Sequence, residues 1–321
     1  MKPSRNVAVS FLVTVFLLAL LLTQVDLWEV YIMLSRIQLF WLAAGFFFYF
    51  IGYFMRALRF SLLLKGKVNV ERLFPVVCIH YLVNNILPAR TGELSYIYLV
   101  KKLEGISASE GFSTLTIARF FDFMSIAFLF ILSAFLADDV PPVVGDALYY
   151  ISLAACLLVA VFVFLVCRSG AFISLLDRVI HGARLHRFSA IVYIRDKMVE
   201  TLTNLRVLRS RKLIFNSLWS SLLIWSCIYL MTYSVMEGMG FEYSVFLVVL
   251  GSTLSVFSNI LPIPSLGGFG VYEGAWALAF ISLGMEQGTA IASGLGVHVV
   301  IIFYMTLLGA YGLLSTFSGR E

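Results

Sequence analysis

Asn84-Asn85-Ile86-Leu87-Pro88-Ala89-Arg90-Thr91-Gly92-Glu93 has an echo late in the chain: Ser258-Asn259-Ile260-Leu261-Pro262-Ile263-Pro264-Ser265-Leu266-Gly267-Gly268-Phe269-Gly270-Val271-Tyr272-Glu273-Gly274. Both stretches contain Asn-Ile-Leu-Pro, pass through glycine and arrive at a glutamate. Both interrupt strongly apolar sequence, where Pro and Gly break a helix and a carboxylate is costly. A matched pair of broken apolar segments, one in each half of a chain, points to the substrate site of a secondary transporter. Pro262 stands just over half a chain length beyond Pro88, so the echo spans two halves.

The surrounding composition sets the medium. Of 321 residues, 61% are hydrophobic and only 13% charged, with a mean hydropathy of +0.96. Soluble domains carry about 25% charged residues. The chain therefore reads as a single all-α polytopic membrane domain over residues 1–321. Six segments, at about 7–25, 39–64, 112–136, 147–167, 213–236 and 288–316, approach the roughly 20 apolar residues that cross a bilayer core of about 30 Å. Residues 73–100 and 244–284 are apolar but punctured in the middle, which suits two half-length helices meeting at a break. Met1-Lys2-Pro3-Ser4-Arg5 precedes an apolar run without a good cleavage site, so the first span is expected to be retained. Cys78, Cys156, Cys167 and Cys227 are scattered and imply neither a disulfide nor a metal site.

Charge orients these segments, because cytoplasmic loops collect Lys and Arg. Lys2, Arg5, Lys65, Lys67, Arg72, Lys101, Lys102, the many bases between Arg168 and Lys212, and Arg320 fall on one side. Asp26, Glu29, Asp138, Asp139, Asp146, Glu237, Glu242 and Glu286 fall on the other, with Arg36 as the single base there. Six crossings with both termini cytoplasmic satisfy this division only if each punctured region returns to the face it entered from. The expected architecture is thus six full transmembrane helices plus two opposed re-entrant helical hairpins. These form an inverted-topology repeat, about 39–136 and 213–316, separated by a cytoplasmic amphipathic segment at about 168–212 that reads as one or two interfacial helices. The +5 net charge belongs to this asymmetry, not to a nucleic-acid partner.

Ionisable residues inside apolar segments cost roughly 2.5–3.5 kcal/mol each and need a reason. Arg90 and Glu93 lie in the first hairpin. Arg119 and Asp122 lie three apart, on one face of span 112–136. Glu273 lies in the second hairpin, and His298 follows it at nearly the interval by which Arg119 follows Glu93. Pro88, Gly92, Pro262, Pro264, Gly267, Gly268 and Gly270 mark the half-helix breaks. Half-helix N-termini together with Arg90 and Arg119 make an anion-attracting centre, so these six ionisable residues form the expected substrate site. The plainer alternative is mutual neutralisation: Glu93 with Arg119, Arg90 with Asp122, and Glu273 capping its own helix. Arg56 and Arg59 are weaker candidates, explicable by snorkelling, and His80 reads as a satisfied buried imidazole. No catalytic, nucleotide, metal or cofactor motif is present.

Pro88-x-Arg90-x-Gly92-Glu93, Ala118-Arg119-x-x-Asp122 and Pro262-x-Pro264-x-x-Gly267-Gly268-x-Gly270-x-x-Glu273 resemble the flippase-like membrane family related to the transmembrane region of lysylphosphatidylglycerol synthase. The resemblance extends from about residue 7 to 316 and implies a stand-alone form without the synthase domain. It further implies a translocase, not an enzyme, in the cell inner (cytoplasmic) membrane. Such a protein moves an anionic or phosphate-bearing amphipathic lipid (phospholipid, aminoacyl-phospholipid or polyprenyl-linked lipid) between leaflets. Its partners would be membrane lipids, with room for a homo-oligomer or a lipid-synthesising enzyme. Two other classes remain open at this point: a secondary transporter of a soluble organic anion or ion, and a lipid-modifying membrane enzyme or accessory subunit.

Overall fold

The computed structural model describes residues 5–87, 92–138, 140–167, 169–182, 195, 210–258 and 265–318. The regular structure of these residues is entirely α-helical, without strand. In order they are α1 (Arg5–Leu22), α2 (Leu27–Ser35), α3 (Leu39–Leu63), α4 (Val70–Ile86), α5 (Glu93–Glu104), α6 (Ala108–Leu136), α7 (Pro142–Cys167), α8 (Ser169–Gly182), α9 (Arg211–Gly238), α10 (Val245–Ser258), α11 (Val271–Ser282) and α12 (Gln287–Ser318). Four of them, α3, α6, α9 and α12, are both long and apolar enough to cross a bilayer. The expected spans 7–25 and 147–167 carry shorter apolar helical stretches, Ser10–Leu22 in α1 and Val144–Leu157 in α7.

Several helix starts follow from local chemistry. The first amides of a helix have no partner within it, and an oxygen just before the helix supplies one. Ser107 Oγ accepts from Glu110 N at the start of α6, and Ser210 Oγ from Leu213 N at the start of α9. Glu286 accepts from Gly288 N and Thr289 N before α12. Asp26 accepts from Trp28 N at 2.8 Å and so nucleates α2, a helix absent from the sequence reading, which had only an acidic loop there.

The two punctured regions each form a pair of short helices. α4 has 17 residues and α5 has 12; α10 has 14 and α11 has 12. At 1.5 Å per residue, none of these four reaches the length of about 30 Å that a full crossing needs. α4 ends at Ile86, and Leu87 is extended at φ −79°, ψ 135°, the conformation favoured before a proline. Pro88, Arg90, Pro262 and Pro264 lie outside the described residues.

Glycine closes both pairs, for different reasons. Gly92 has an ordinary φ of −65°, but a Cβ there would lie 2.4 Å from Asn84 Cα, so only glycine lets α5 start against the last turn of α4. Gly267, Gly268 and Gly270 instead have φ of 63°, 76° and 82°, a region that L side chains avoid. Gly270 also faces Leu17 Cβ, where an added Cβ would sit at 2.4 Å, and this contact seats α1 on α11.

The most extensive helix packing is between α3 and α9. They run antiparallel: Trp41 meets Gly238 at one end, Gly52 faces Ile224 and Cys227 midway, and Arg59 meets Ser221 beyond. Around this pair the short helices pack crosswise. α4 lies on α12, where Gly309 faces Leu82 and Gly312 faces Pro75 and Cys78, and α10 lies on α6. α5 contacts α4 and α6, while α11 contacts α10 and α12.

Within the segment read as cytoplasmic and amphipathic, α8 is helical and exposes Leu175 and Val179. Arg195 Nε donates to Asp177 Oδ1 at 2.9 Å, and this bond holds the Asp177 carboxyl below the usual carboxylate range. Apart from Arg195, residues 183–209 lie outside the described residues.

The glycine assignments make a graded prediction. Gly92→Ala meets backbone, which no rotamer change can relieve, and is expected to cost at least the 1–3 kcal/mol of an overpacked core. Gly270→Ala combines a similar clash with left-handed strain. Gly274→Ala, within α11 and with nothing near its Cβ position, should be neutral or stabilising by about 0.5–1 kcal/mol. Thermal unfolding in detergent checks the order; equal melting temperatures for Gly92→Ala and Gly274→Ala would refute it.

Candidate functional site

Three elements contribute ionisable side chains to one cluster, and a fourth adds polar partners to it. On α6, Arg119 and Asp122 share a face, with Arg119 Nη1 3.6 Å from Asp122 Oδ2. α5 begins with Glu93 and brings its Oε1 to 3.2 Å from Arg119 Nη2. From α3, Arg59 donates Nη1 to Asp122 Oδ1 at 2.5 Å and Nη2 to Oδ2 at 3.2 Å. From α9, Trp225 Nε1 donates to Asp122 Oδ1 at 3.0 Å, and Ser221 Oγ accepts from Arg59. Asp122 is 4% exposed and Arg59 1%. A charged pair this deep is favourable only when its remaining donors and acceptors are met, and here a third helix, α9, helps meet them through Trp225 and Ser221.

Beside the cluster lies a cavity of about 210 Å³. Its wall draws on both halves of the chain. α3 supplies Tyr49, Tyr53 and Arg56; the end of α4 supplies Tyr81, Asn84 and Asn85; α6 supplies Arg119 and Asp122. Opposite stand Trp225 and Tyr229 of α9, Ser252 and Ser258 of α10, Ser265 and Gly268 of the second break, and Tyr272 of α11. The residues flanking both breaks, Leu87 on one side and Ser258 and Ser265 on the other, therefore face the same space.

Of the residues nominated from sequence, Arg119, Asp122 and Gly268 line this cavity, and Glu93 joins it through Arg119. Gly92, Gly267 and Gly270 shape the two breaks. Arg90 lies outside the described residues. Glu273 and His298 meet each other but do not line the cavity. Glu273 is fully buried, accepts from Gly270 N at 2.7 Å as the cap of α11, and places Oε1 2.6 Å from His298 Nδ1. The imidazole lies between the rings of Phe269 and Tyr272, at centroid distances of 4.7 and 4.6 Å. Two parts of the neutralisation alternative are thus present: Glu93 with Arg119, and Glu273 as a cap. His80 is buried with Nδ1 3.0 Å from Ser95 Oγ, tying α4 to α5.

Arg56 and Arg59 correct the sequence reading. Snorkelling would place both guanidiniums in water; instead they are 6% and 1% exposed, turned inward from α3. Arg56 stacks on Tyr81 with Cζ 4.3 Å from the ring centroid and stands 5.4 Å from that of Tyr53. The signal was present in the spacing. Tyr49, Tyr53 and Arg56 fall at i, i+4 and i+7, a polar stripe along an otherwise apolar span.

A multi-helical membrane protein with ionisable residues beside a polar cavity is the class that these features define. The model of the family described as the lysylphosphatidylglycerol synthase TM region matches residues 7–309, and the chain belongs to that family. It is also similar to the UPF0104 membrane protein PH1989 of Pyrococcus horikoshii, with 25% identity over 288 residues, covering 81% of this chain and 82% of that protein. No solved structure matches the chain.

The cluster predicts non-additive stability effects. Asp122→Ala leaves the buried Arg59 guanidinium without a counter-charge, and Arg59→Met leaves a buried carboxylate short of its bidentate partner. Each should destabilise by about 3–5 kcal/mol. The double variant should lose clearly less than the sum, because it removes both members of the pair. Melting temperatures of the four proteins in detergent check this, and strict additivity would contradict it.

Proposed function

We propose that this protein translocates an anionic or phosphate-bearing amphipathic lipid between membrane leaflets by alternating access, acting as a transporter and not as an enzyme. The observation that carries the reading is the convergence of both broken regions on one polar cavity beside buried charge. A volume of about 210 Å³ lies below the 300–1,000 Å³ of pockets that enclose drug-sized ligands. It suits a polar head group, with the hydrocarbon tail left in the bilayer. A mainly apolar groove between α3, α4 and α12, lined by Phe46, Phe50, Phe54, Phe74 and Tyr311 together with Glu71, offers such a tail a place on the protein surface.

In this reading α1 and α7 join the four long helices as spans, and the pairs α4–α5 and α10–α11 are re-entrant hairpins of an inverted repeat. Reciprocal packing supports it: each hairpin's first arm lies against the last span of the other half, α4 on α12 and α10 on α6. Antiparallel α3 and α9 would be the equivalent first spans, meeting at the pseudo-two-fold axis. Glu93 with Arg119 and Glu273 with His298 would be equivalent pairs, each joining a hairpin's second arm to the following span. Lys65, Lys67, Arg72, Lys101 and Lys102 gather where α3 ends, α4 begins and α5 ends, which supports a cytoplasmic entry for the first hairpin. The membrane would be the cell inner membrane, with both termini cytoplasmic.

Arg119 then acts as the latch of the first hairpin. Its bond to Glu93 fixes the start of α5 against α6, and an opening of the cavity toward that side stretches this bond. Head-group capture weakens it by competing for the guanidinium, coupling occupancy to movement. The lipids themselves are the expected partners.

Leaflet-resolved quenching of fluorescent phosphatidylglycerol in proteoliposomes tests the function. Protein-dependent exchange is expected, faster than for phosphatidylcholine, and Arg119→Ala should slow it at least tenfold while the melting transition remains cooperative. Transport by Arg119→Ala at the wild-type rate would sink the latch. Flux of soluble anions without any lipid exchange would favour a solute carrier instead.

A further inference from the structure

The charges around the cavity are not balanced among the described residues. Arg59 and Arg119 are neutralised by Asp122 and Glu93. Arg56 is not: it lines the cavity, is 6% exposed, and forms no ion pair and no hydrogen bond with any described residue. Its contacts are aromatic, the faces of Tyr81 and Tyr53. A buried, unpaired guanidinium carries a penalty of several kcal/mol. Cation–π stacking returns about 2 kcal/mol when desolvated, which does not cover it.

We infer that Arg56 is the oxyanion receptor of this cavity, taking a phosphodiester or carboxylate of the ligand edge-on to its guanidinium. The inference rests on the reading of this cavity as the substrate site and names the group that receives the charge. Stacking occupies the face of a guanidinium and leaves its in-plane N–H edge free, and that edge matches the two oxygens of an oxyanion. The tyrosine cradle orients the fork: Tyr49 and Tyr53 are joined by a hydroxyl–hydroxyl bond of 2.8 Å, and the Tyr81 ring packs with its centroid 5.3 Å from that of Tyr53. Asn84 lines the adjacent wall, and its buried Oδ1 also has no partner among the described residues, which extends the polar site past the charge. Arg119, by contrast, faces the cavity with two carboxylates already at hand. Arg56 is thus added to the anion-attracting centre that the sequence places at Arg90 and Arg119, with Arg56 the first receptor and Arg119 the latch.

The probes are short-chain dihexanoyl-phosphatidylglycerol, dihexanoyl-phosphatidylcholine and glycerol 3-phosphate, titrated calorimetrically against purified protein in detergent. Wild type should bind the phosphatidylglycerol saturably and more tightly than the phosphatidylcholine. Arg56→Ala and Arg56→Gln should weaken phosphatidylglycerol at least tenfold, Arg56→Lys should recover part of the loss, and the surface variant Arg72→Ala should bind like wild type. Should Arg56→Ala fail to fold, Arg56→Gln and Arg56→Lys carry the comparison, each with its melting transition recorded first. Phosphatidylglycerol binding that is unchanged in folded Arg56 variants overturns the assignment while leaving lipid translocation standing. Glycerol 3-phosphate binding that depends on Arg56, without phosphatidylglycerol binding, upholds the receptor and removes the lipid reading. Absence of saturable binding by every probe overturns the receptor.

Discussion

A carboxylate held away from water must be neutralised where it stands, and Asp122 meets that constraint by drawing two other helices onto its own. Arg59 arrives from α3, Trp225 from α9, and Arg119 from its own helix. Coulomb attraction between such groups strengthens as the surroundings become less polar, but so does the cost of any missing partner. The arrangement is therefore close to all-or-none. With Asp122 ionised and fully bonded, α3, α6 and α9 have one relative position, and the cavity wall built on them is defined. The lipid-facing sides of the same helices could not set that position, because apolar side chains gain little by leaving apolar lipid for one another.

The two halves use the same kind of link for different ends. Glu93 and Arg119 remain partly accessible, with side-chain exposures of 29% and 23%, and stand beside the cavity. Glu273 and His298 are sealed behind Tyr272, and Glu273 spends its second oxygen on capping α11. A partly accessible ion pair exchanges partners with an incoming anion more readily than a sealed one. Under the proposed function, the first broken region therefore carries the responsive latch. In the second, three left-handed glycines make the backbone turn and the Glu273 cap fixes the start of α11.

Much of this was legible in the residues. Proline and glycine inside apolar sequence report broken helices because their backbone chemistry is local, and the described flanks of both breaks are as that chemistry requires. Asp122 and Arg119 were visible because charge at that depth has few explanations. Arg56 and Arg59 were misjudged because depth along a helix does not reveal what lies opposite. The residues that turn Arg59 inward, Asp122 and Ser221, are 63 and 162 positions away, and the ring that holds Arg56 belongs to α4. The short helix α2 was missed because its N-cap, Asp26, was counted only as a loop charge.

The central claim is that one cavity serves both sides of the membrane. Ser252 lines it from α10 and is buried, so Ser252→Cys, in a background with Cys78, Cys156, Cys167 and Cys227 replaced, reports access directly. A membrane-impermeant maleimide applied separately to each face of oriented vesicles should label this position from both sides, and added phosphatidylglycerol should slow the labelling. Labelling from one face alone, whatever the lipid present, would contradict the account.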